Sequence, residues 1–274
     1  MGRTRDYEFD PAEQVKLIEN FIKSYFTENG TPNTKAVIGI SGGKDSTIAA
    51  ALLVRALGPD RVIGVLMPEH VQPDIDEARE VCEILDIKSI EIDIGPTCNK
   101  LYHAIDESGA LDHCATSYSA VTTNTPARIR MATLYAVAAM VGGRVCNTGN
   151  ASEAFIGYTT KYGDLAGDFA LLKNLTVREI YAIGDYLELP MLLVHKHPAD
   201  GMSGKTDEDN TGILYDAIDD FLLDGIMPDM VMWERMSAAH ERNTHKEVIQ
   251  LPAPQRYGYS LHRMNRHGGI YEVF

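Results

Sequence analysis

The sequence predicts an α/β protein, a doubly wound parallel sheet with helices on both faces. Three observations carry that expectation: a short unbroken apolar run at 36–40, helical stretches alternating with strands expected there and at 61–67, 89–94 and 144–148, and a glycine-rich turn after the first strand. Continuous apolar runs mark strands covered on both faces. Strands that alternate with helices call for a parallel sheet with right-handed crossovers.

The elements follow in order. Pro11 opens a helix over 11–29 that puts Val15, Ile18, Phe21, Ile22, Tyr25 and Phe26 on one face, and Gly30 stops it. Residues 36–40 form the first strand, and 46–57 a helix ended by Gly58-Pro59. A second strand is expected over 61–67, a helix over 74–85 and a third strand over 89–94. A helix over 126–141, opened by Pro126, leads into a fourth strand over 144–148. After Asn150 the alternation fades into a segment rich in Gly, Thr, Tyr and charge, with helices expected over 176–187, 208–223 and 228–241. Residues 197–205 have loop composition. No repeat, low-complexity tract or linker interrupts the chain, so one domain spanning 1–274 is expected.

Composition narrows the class. With 25 Lys+Arg against 39 Asp+Glu the net charge is −14, which argues against a dedicated nucleic-acid binder. Cys82, Cys98, Cys114 and Cys146 stand singly, so no zinc knuckle or dithiol pair is encoded locally. The start is charged and lacks a secretory signal, and no apolar stretch approaches the roughly 20 residues that span a bilayer. A cytoplasmic protein with reduced thiols, not associated with membranes, is expected.

The loop Ser41-Gly42-Gly43-Lys44-Asp45-Ser46 joins strand to helix. Its glycines let backbone N–H groups converge, the helix N-terminus adds its dipole, and Ser41 and Ser46 add hydroxyls. This is a phosphate cradle. Walker A spacing fails, because three residues separate Gly39 from Gly43 and Asp45 follows Lys44; the dinucleotide fingerprint fails too. The S-G-G-x-D-S pattern resembles the loop of ATP pyrophosphatases. An acidic side chain in an anion loop calls for a cation, so Asp45 is expected to hold Mg²⁺ against the phosphates.

Further on, Arg128 and Arg130 lie near the expected start of the 126–141 helix, where cations oppose the dipole; binding of an anion explains them better than helix stability does. Thr148-Gly149-Asn150 and Glu153 follow the fourth strand, at the sheet end where open α/β sheets present ligands. Glu153 could complete the Mg²⁺ shell or serve as a first-turn helix charge. Tyr158, Tyr162 and Trp233 could stack on a base or belong to the core. His103, His113, His195 and His197 have no metal-ligand spacing, and Cys146 reads as a small buried apolar residue.

With T-K-Y-G-D over 160–164 and Asp168 beyond it, the chain resembles ammonia-dependent NAD synthetases. The resemblance rests on the S-G-G-x-D-S loop, N-x-x-A-R-x-R-M over 124–131, T-G-N-x-S-E over 148–153, Asp207-Glu208 with Gly212 and Tyr215-Asp216, and Thr244-His245-Lys246. It implies the Rossmann-like fold of adenine nucleotide alpha hydrolases and ATP-dependent amidation of deamido-NAD through an acyl-adenylate. ATP is then assigned to Gly39, Ile40, Ser41, Gly42, Gly43, Lys44, Asp45, Ser46 and Thr148, and Mg²⁺ to Asp45 and Glu153. Deamido-NAD is assigned to Arg128, Lys161, Asp168, His245 and Lys246, at the interface of a homodimer. Lys44 would stabilise charge, and Asp164 would take a proton from ammonium unless it merely pairs with Lys161. At 274 residues an amidase domain is not expected, which implies free ammonia or ammonia from another chain. Two positions depart from the family: Val177 follows Leu175-Thr176, with Lys173 and Arg178 nearby, and Pro198-Ala199-Asp200 lacks a hydroxyl. Other readings are another ligase acting on a nucleotide carboxylate, a tRNA-thiolating enzyme and a non-catalytic nucleotide sensor.

Overall fold

The computed structural model describes residues 9–110, 119–195, 206–246, 261–264 and 270–273. Five parallel strands form the central sheet in the order β3-β2-β1-β4-β5: β1 (Lys35–Gly39), β2 (Val62–Leu66), β3 (Lys88–Glu91), β4 (Gly143–Asn147) and β5 (Phe169–Ala170). Ala36 sits opposite Val62 on one side of β1, and Val37 opposite Val145 on the other. The chain leaves β1 toward β2 and β3, then returns to lay β4 on the opposite side. Such a reversal opens a crevice at the carboxyl ends of the strands, here β1 and β4.

On one face of the sheet pack α1 (Pro11–Asn29), α2 (Lys44–Leu57), α3 (Ile75–Ile84) and α7 (Val177–Tyr186), with Ile22, Ile48, Leu52 and Ile180 fully buried. On the other lie α4 (Gly95–Glu107) and α5 (Ser119–Val141), which cover Val37, Val65 and Val145 with Met131, Leu134 and Val137. A third cluster joins α6 (Ala151–Ile156) and α7 to α10 (Tyr215–Asp224) and α11 (Met230–Asn243) around Ile218 and Met236. Truncating Leu52 to Ala, at the centre of the first cluster, is expected to cost about 3 kcal/mol in denaturant unfolding.

The sheet, its parallel pairing and its helices on both faces agree with the sequence reading. Several details differ. α5 runs from Ser119, and Pro126 sits inside it rather than opening it. Arg128 and Arg130 are therefore well inside the helix, and the dipole argument for them does not apply. Residues 119–125 carry three Thr, one Val and one Asn, all weak helix formers, so packing overrides propensity there. The expected helix over 208–223 is two, α9 (Asp207–Thr211) and α10, separated by Gly212 at φ +65°. Phe21 is 45% exposed and flanks the buried face of α1. α4, β5, the short α8 (Met191–Val194) and the antiparallel pair β6 (Leu261–Met264) and β7 (Ile270–Val273) had no counterpart in the sequence reading. Among the described residues no helix is long and apolar enough to cross a membrane. Cys114, His113 and His197–Lys205 lie outside the described residues.

Candidate active site

The glycine-rich loop leaves β1 and enters α2. Gly42 has φ +81°, and an added Cβ there would meet Ala78 N at 3.0 Å and Asp74 O at 3.1 Å, so the turn admits glycine alone. Gly43 N donates to Ser41 Oγ at 3.2 Å, Ser41 N donates to Ser46 Oγ at 3.3 Å, and the two hydroxyl oxygens lie 3.1 Å apart. The hydroxyls thus hold the loop in shape. No side chain caps the first turn of α2, which leaves its N–H groups to an anion.

Lys44 is 4% exposed, lies 5.9 Å from the Tyr215 ring centroid and donates to Asp45 Oδ2 at 2.7 Å. Burial favours its neutral form, but the Asp45 and Glu153 carboxylates outweigh burial and hold it protonated. Asp45 Oδ1 accepts from Asn150 Nδ2 at 3.3 Å. Asn150 is the N-cap of α6: its Oδ1 accepts Glu153 N at 2.9 Å, and Glu153 Oε2 accepts Asn150 N at 3.3 Å. Glu153 is thus both a capping-box carboxylate and the neighbour of Asp45. Burial first, and then the charge of Asp45, push its pKa up to about 8. A divalent cation relieves such crowding. Among the described residues no group of three or more His, Cys, Asp or Glu forms a metal site. Two carboxylates beside a phosphate loop nevertheless fit Mg²⁺, which takes one or two carboxylates and completes its shell with phosphate oxygens and water.

Across the cleft, the turn over 160–164 is closed by Asp164 Oδ1, which accepts Thr160 N at 2.7 Å. Asn147 Nδ2, at the end of β4, donates to Asp164 O. Burial raises the Asp164 pKa; the Thr160 hydrogen bonds and the charge of Lys246 oppose it. Lys246 Nζ donates to Gly157 O and Thr159 O at 2.7 Å each, and Lys161 Nζ donates to His245 O at 2.6 Å. Arg128 Nε donates to Lys161 O at 3.2 Å. The short turn Thr244–Lys246 that follows α11 is therefore stitched to this region. An added Cβ on Gly157, at φ +65°, would overlap Asn243. Gly157→Ala is expected to lower Tm by several degrees, as thermal unfolding would show.

A cleft of about 880 Å³ gathers Gly39, Ile40, Ser41, Gly43, Lys44, Asp45, Ser46, Thr148, Glu153, Asp164 and Lys246. Gly42 shapes the loop from behind. Arg128, Lys161 and His245 form a chain of contacts linked to the cleft through Lys246. Asp168 does not join them. It accepts Val145 N at 2.7 Å and lines a separate depression with Tyr25 and Arg144.

Other residues fall into place. Asp207 and Arg130 also line the cleft; Asp207 accepts from Tyr215 OH at 3.3 Å, and Arg130 donates to Met67 O at 3.0 Å. Asn150 opens an N-x-x-E pattern, a local signal for a helix cap, whereas the meeting of Asp207 with Tyr215 is tertiary and has no local signal. Tyr158 lines the cleft, Trp233 packs on Phe221 at 5.0 Å, and the Tyr162 ring lies 5.6 Å from Lys161 Nζ. His103 faces Glu107, and His195 meets Asp185 at 2.7 Å on the Tyr181 ring. Val177 is buried in the third cluster, and Arg178 pairs with Asp220 at 2.7 Å, so neither faces the cleft.

A family model described as NAD synthase matches residues 14–257. An NH(3)-dependent NAD(+) synthetase of Pyrococcus furiosus is 36% identical over 215 residues, 78% of this chain and 79% of that protein. Among solved structures, NMN synthetase from Francisella tularensis superposes with a TM-score of 0.81 at 32% identity, covering 91% of this chain and all of the other. The NH3-dependent NAD synthetase of Campylobacter jejuni superposes with a TM-score of 0.70 at 26% identity, over 91% of this chain and all of that one. Matched over most of its length, with its cleft built on the strand–loop–helix that the sequence singles out, the chain belongs to the NAD synthase family.

Proposed function

We propose that this chain is a carbon–nitrogen ligase that amidates deamido-NAD with ammonia at the expense of ATP, giving NAD, AMP and pyrophosphate. The observation that carries the reading is the Asp45–Glu153 carboxylate pair at an anion loop, with the Asp164 turn lining the same cleft. In the first step a nicotinate carboxylate oxygen bonds the α-phosphorus and the α–β anhydride bond breaks, releasing pyrophosphate. In the second, ammonia bonds the acyl carbon and AMP leaves. The loop N–H groups and Lys44 hold the triphosphate and its developing charge, while Thr148 borders the nucleotide at the end of β4. Asp164 accepts the proton that ammonium loses before its lone pair can attack. Asp45 and Glu153 would hold Mg²⁺, which when bound neutralises phosphate charge.

A homodimer fits this reading. α5 buries Met131, Leu134 and Val137 on one side yet exposes Tyr135 at 39% and Met140 at 87% on another, so its second half presents apolar side chains on more than one face. Asp168 reaches a dinucleotide if it serves a second copy's cleft. Met140→Glu is expected to yield a monomer by light scattering, with activity lost; an active monomer would speak against the arrangement. A cytoplasmic location fits the free thiols of Cys82, Cys98 and Cys146.

The test is pyrophosphate release from ATP, which should require the carboxylate substrate and yield one amide product per pyrophosphate when ammonium is present. The superposition on NMN synthetase favours a second reading, in which nicotinate mononucleotide is the acceptor. Comparing kcat/KM for the two carboxylates separates them: a preference of about tenfold or more, equal to about 1.4 kcal/mol, decides the substrate.

A further inference from the structure

Asp219 on α10 is 1% exposed. Its Oδ1 accepts Ser152 Oγ at 2.5 Å, and its Oδ2 accepts the backbone N–H of Arg178 at 2.8 Å. Ser152, wholly buried, accepts Val177 N at 3.1 Å. One carboxylate thus joins the first turns of α6 and α7, where helix dipoles favour negative charge. Burying a carboxylate costs more than one or two hydrogen bonds return, so an apolar side chain would serve this cluster better if packing were the only demand.

The geometry to be held lies next door. α6 has six residues, too few to be rigid alone, and Glu153 follows Ser152 directly. The start of α6 is fixed by Ala151 N donating to Leu175 O at 2.8 Å, by the Asn150–Asp45 contact, and by Asp219 through Ser152. We propose that Asp219 is a positioning residue: through Ser152 it fixes the first turn of α6 and so the place of Glu153 relative to Asp45. This rests on the reading of Asp45 and Glu153 as the Mg²⁺ pair.

The test measures metal binding apart from turnover. Mn²⁺ is titrated by electron paramagnetic resonance into the full-length protein saturated with α,β-methylene ATP, and Tm is recorded for each variant. Ile218→Val, in the third apolar cluster and on the same helix, serves as the control for lost packing. Asn offers one acceptor to the two donors, Ser152 Oγ and Arg178 N, so Asp219→Asn breaks the link between α6 and α7. It should weaken Mn²⁺ binding by about tenfold, the usual scale for partners that orient metal ligands, while Ile218→Val stays within about twofold of wild type. If the two variants bind Mn²⁺ alike, the positioning role is overturned. Glu153→Gln separates the premises. Weak binding there with wild-type binding in Asp219→Asn rejects the proposal alone, whereas wild-type binding in Glu153→Gln rejects the metal reading and the proposal with it. Should Asp219→Asn fail to fold, Ser152→Ala keeps the carboxylate, removes the bridge and carries the same expectation.

Discussion

Asp45→Asn and Glu153→Gln each lose amide formation by about 10³-fold or more at saturating Mg²⁺, a loss of several kcal/mol of charge stabilisation. The replacements are nearly isosteric, and neither side chain belongs to the three apolar clusters. Both variants should therefore fold, as circular dichroism would show, with Tm lowered more in Asp45→Asn, which breaks the buried ion pair with Lys44. The two variants also differ in a telling way. Asn at 45 takes the charged 2.7 Å partner from buried Lys44, whereas Gln at 153 leaves that ion pair in place. Near-wild-type product formation in either variant, measured at saturating Mg²⁺, would refute the assignment.

Asp164→Asn is expected to separate the two halves of the reaction. Pyrophosphate release in the presence of deamido-NAD continues, while amide formation falls by about 10²-fold or more, the scale of a lost general base. The competing role is visible in the structure: Asp164 Oδ1 closes the 160–164 turn through Thr160 N, and Lys161 is bound to His245 O. Asn keeps an oxygen able to accept from Thr160 N, so the turn survives the change. Equal losses in both half-reactions would mean that Asp164 only orders the turn. The pH dependence has a definite sign. Burial raises the Asp164 pKa, so the base is protonated, and amide formation lost, at a higher pH than an ordinary carboxylate would give. Pyrophosphate release should lack that acidic limb.

What the sequence discloses here is what is encoded locally. The strand, glycine turn and helix from Lys35 to Leu57 are contiguous, so both the cradle and its Asp45 are readable from spacing. Glu153 is readable for the same reason, since it follows β4 by a short turn. The start of α5 is hidden because Thr, Val and Pro126 argue against a helix that packing nevertheless imposes. β5 is two residues long, below any periodic signal. Asp164 and Asp168 sit four residues apart in one motif, yet the turn sends the first into the cleft and the second to the far side of β4. Asp219 and Asp207 acquire their partners, Ser152 and Tyr215, only when α9 and α10 dock.

The central claim is that this cleft adenylates a carboxylate oxygen. The direct measurement starts from deamido-NAD carrying ¹⁸O in its nicotinate carboxylate, with ATP, Mg²⁺ and ammonium, and analyses the nucleotide products by mass spectrometry. Attack of the carboxylate on the α-phosphorus leaves one labelled oxygen in AMP for each amide formed, and none in pyrophosphate. Label in pyrophosphate or inorganic phosphate, with AMP unlabelled, would contradict the account.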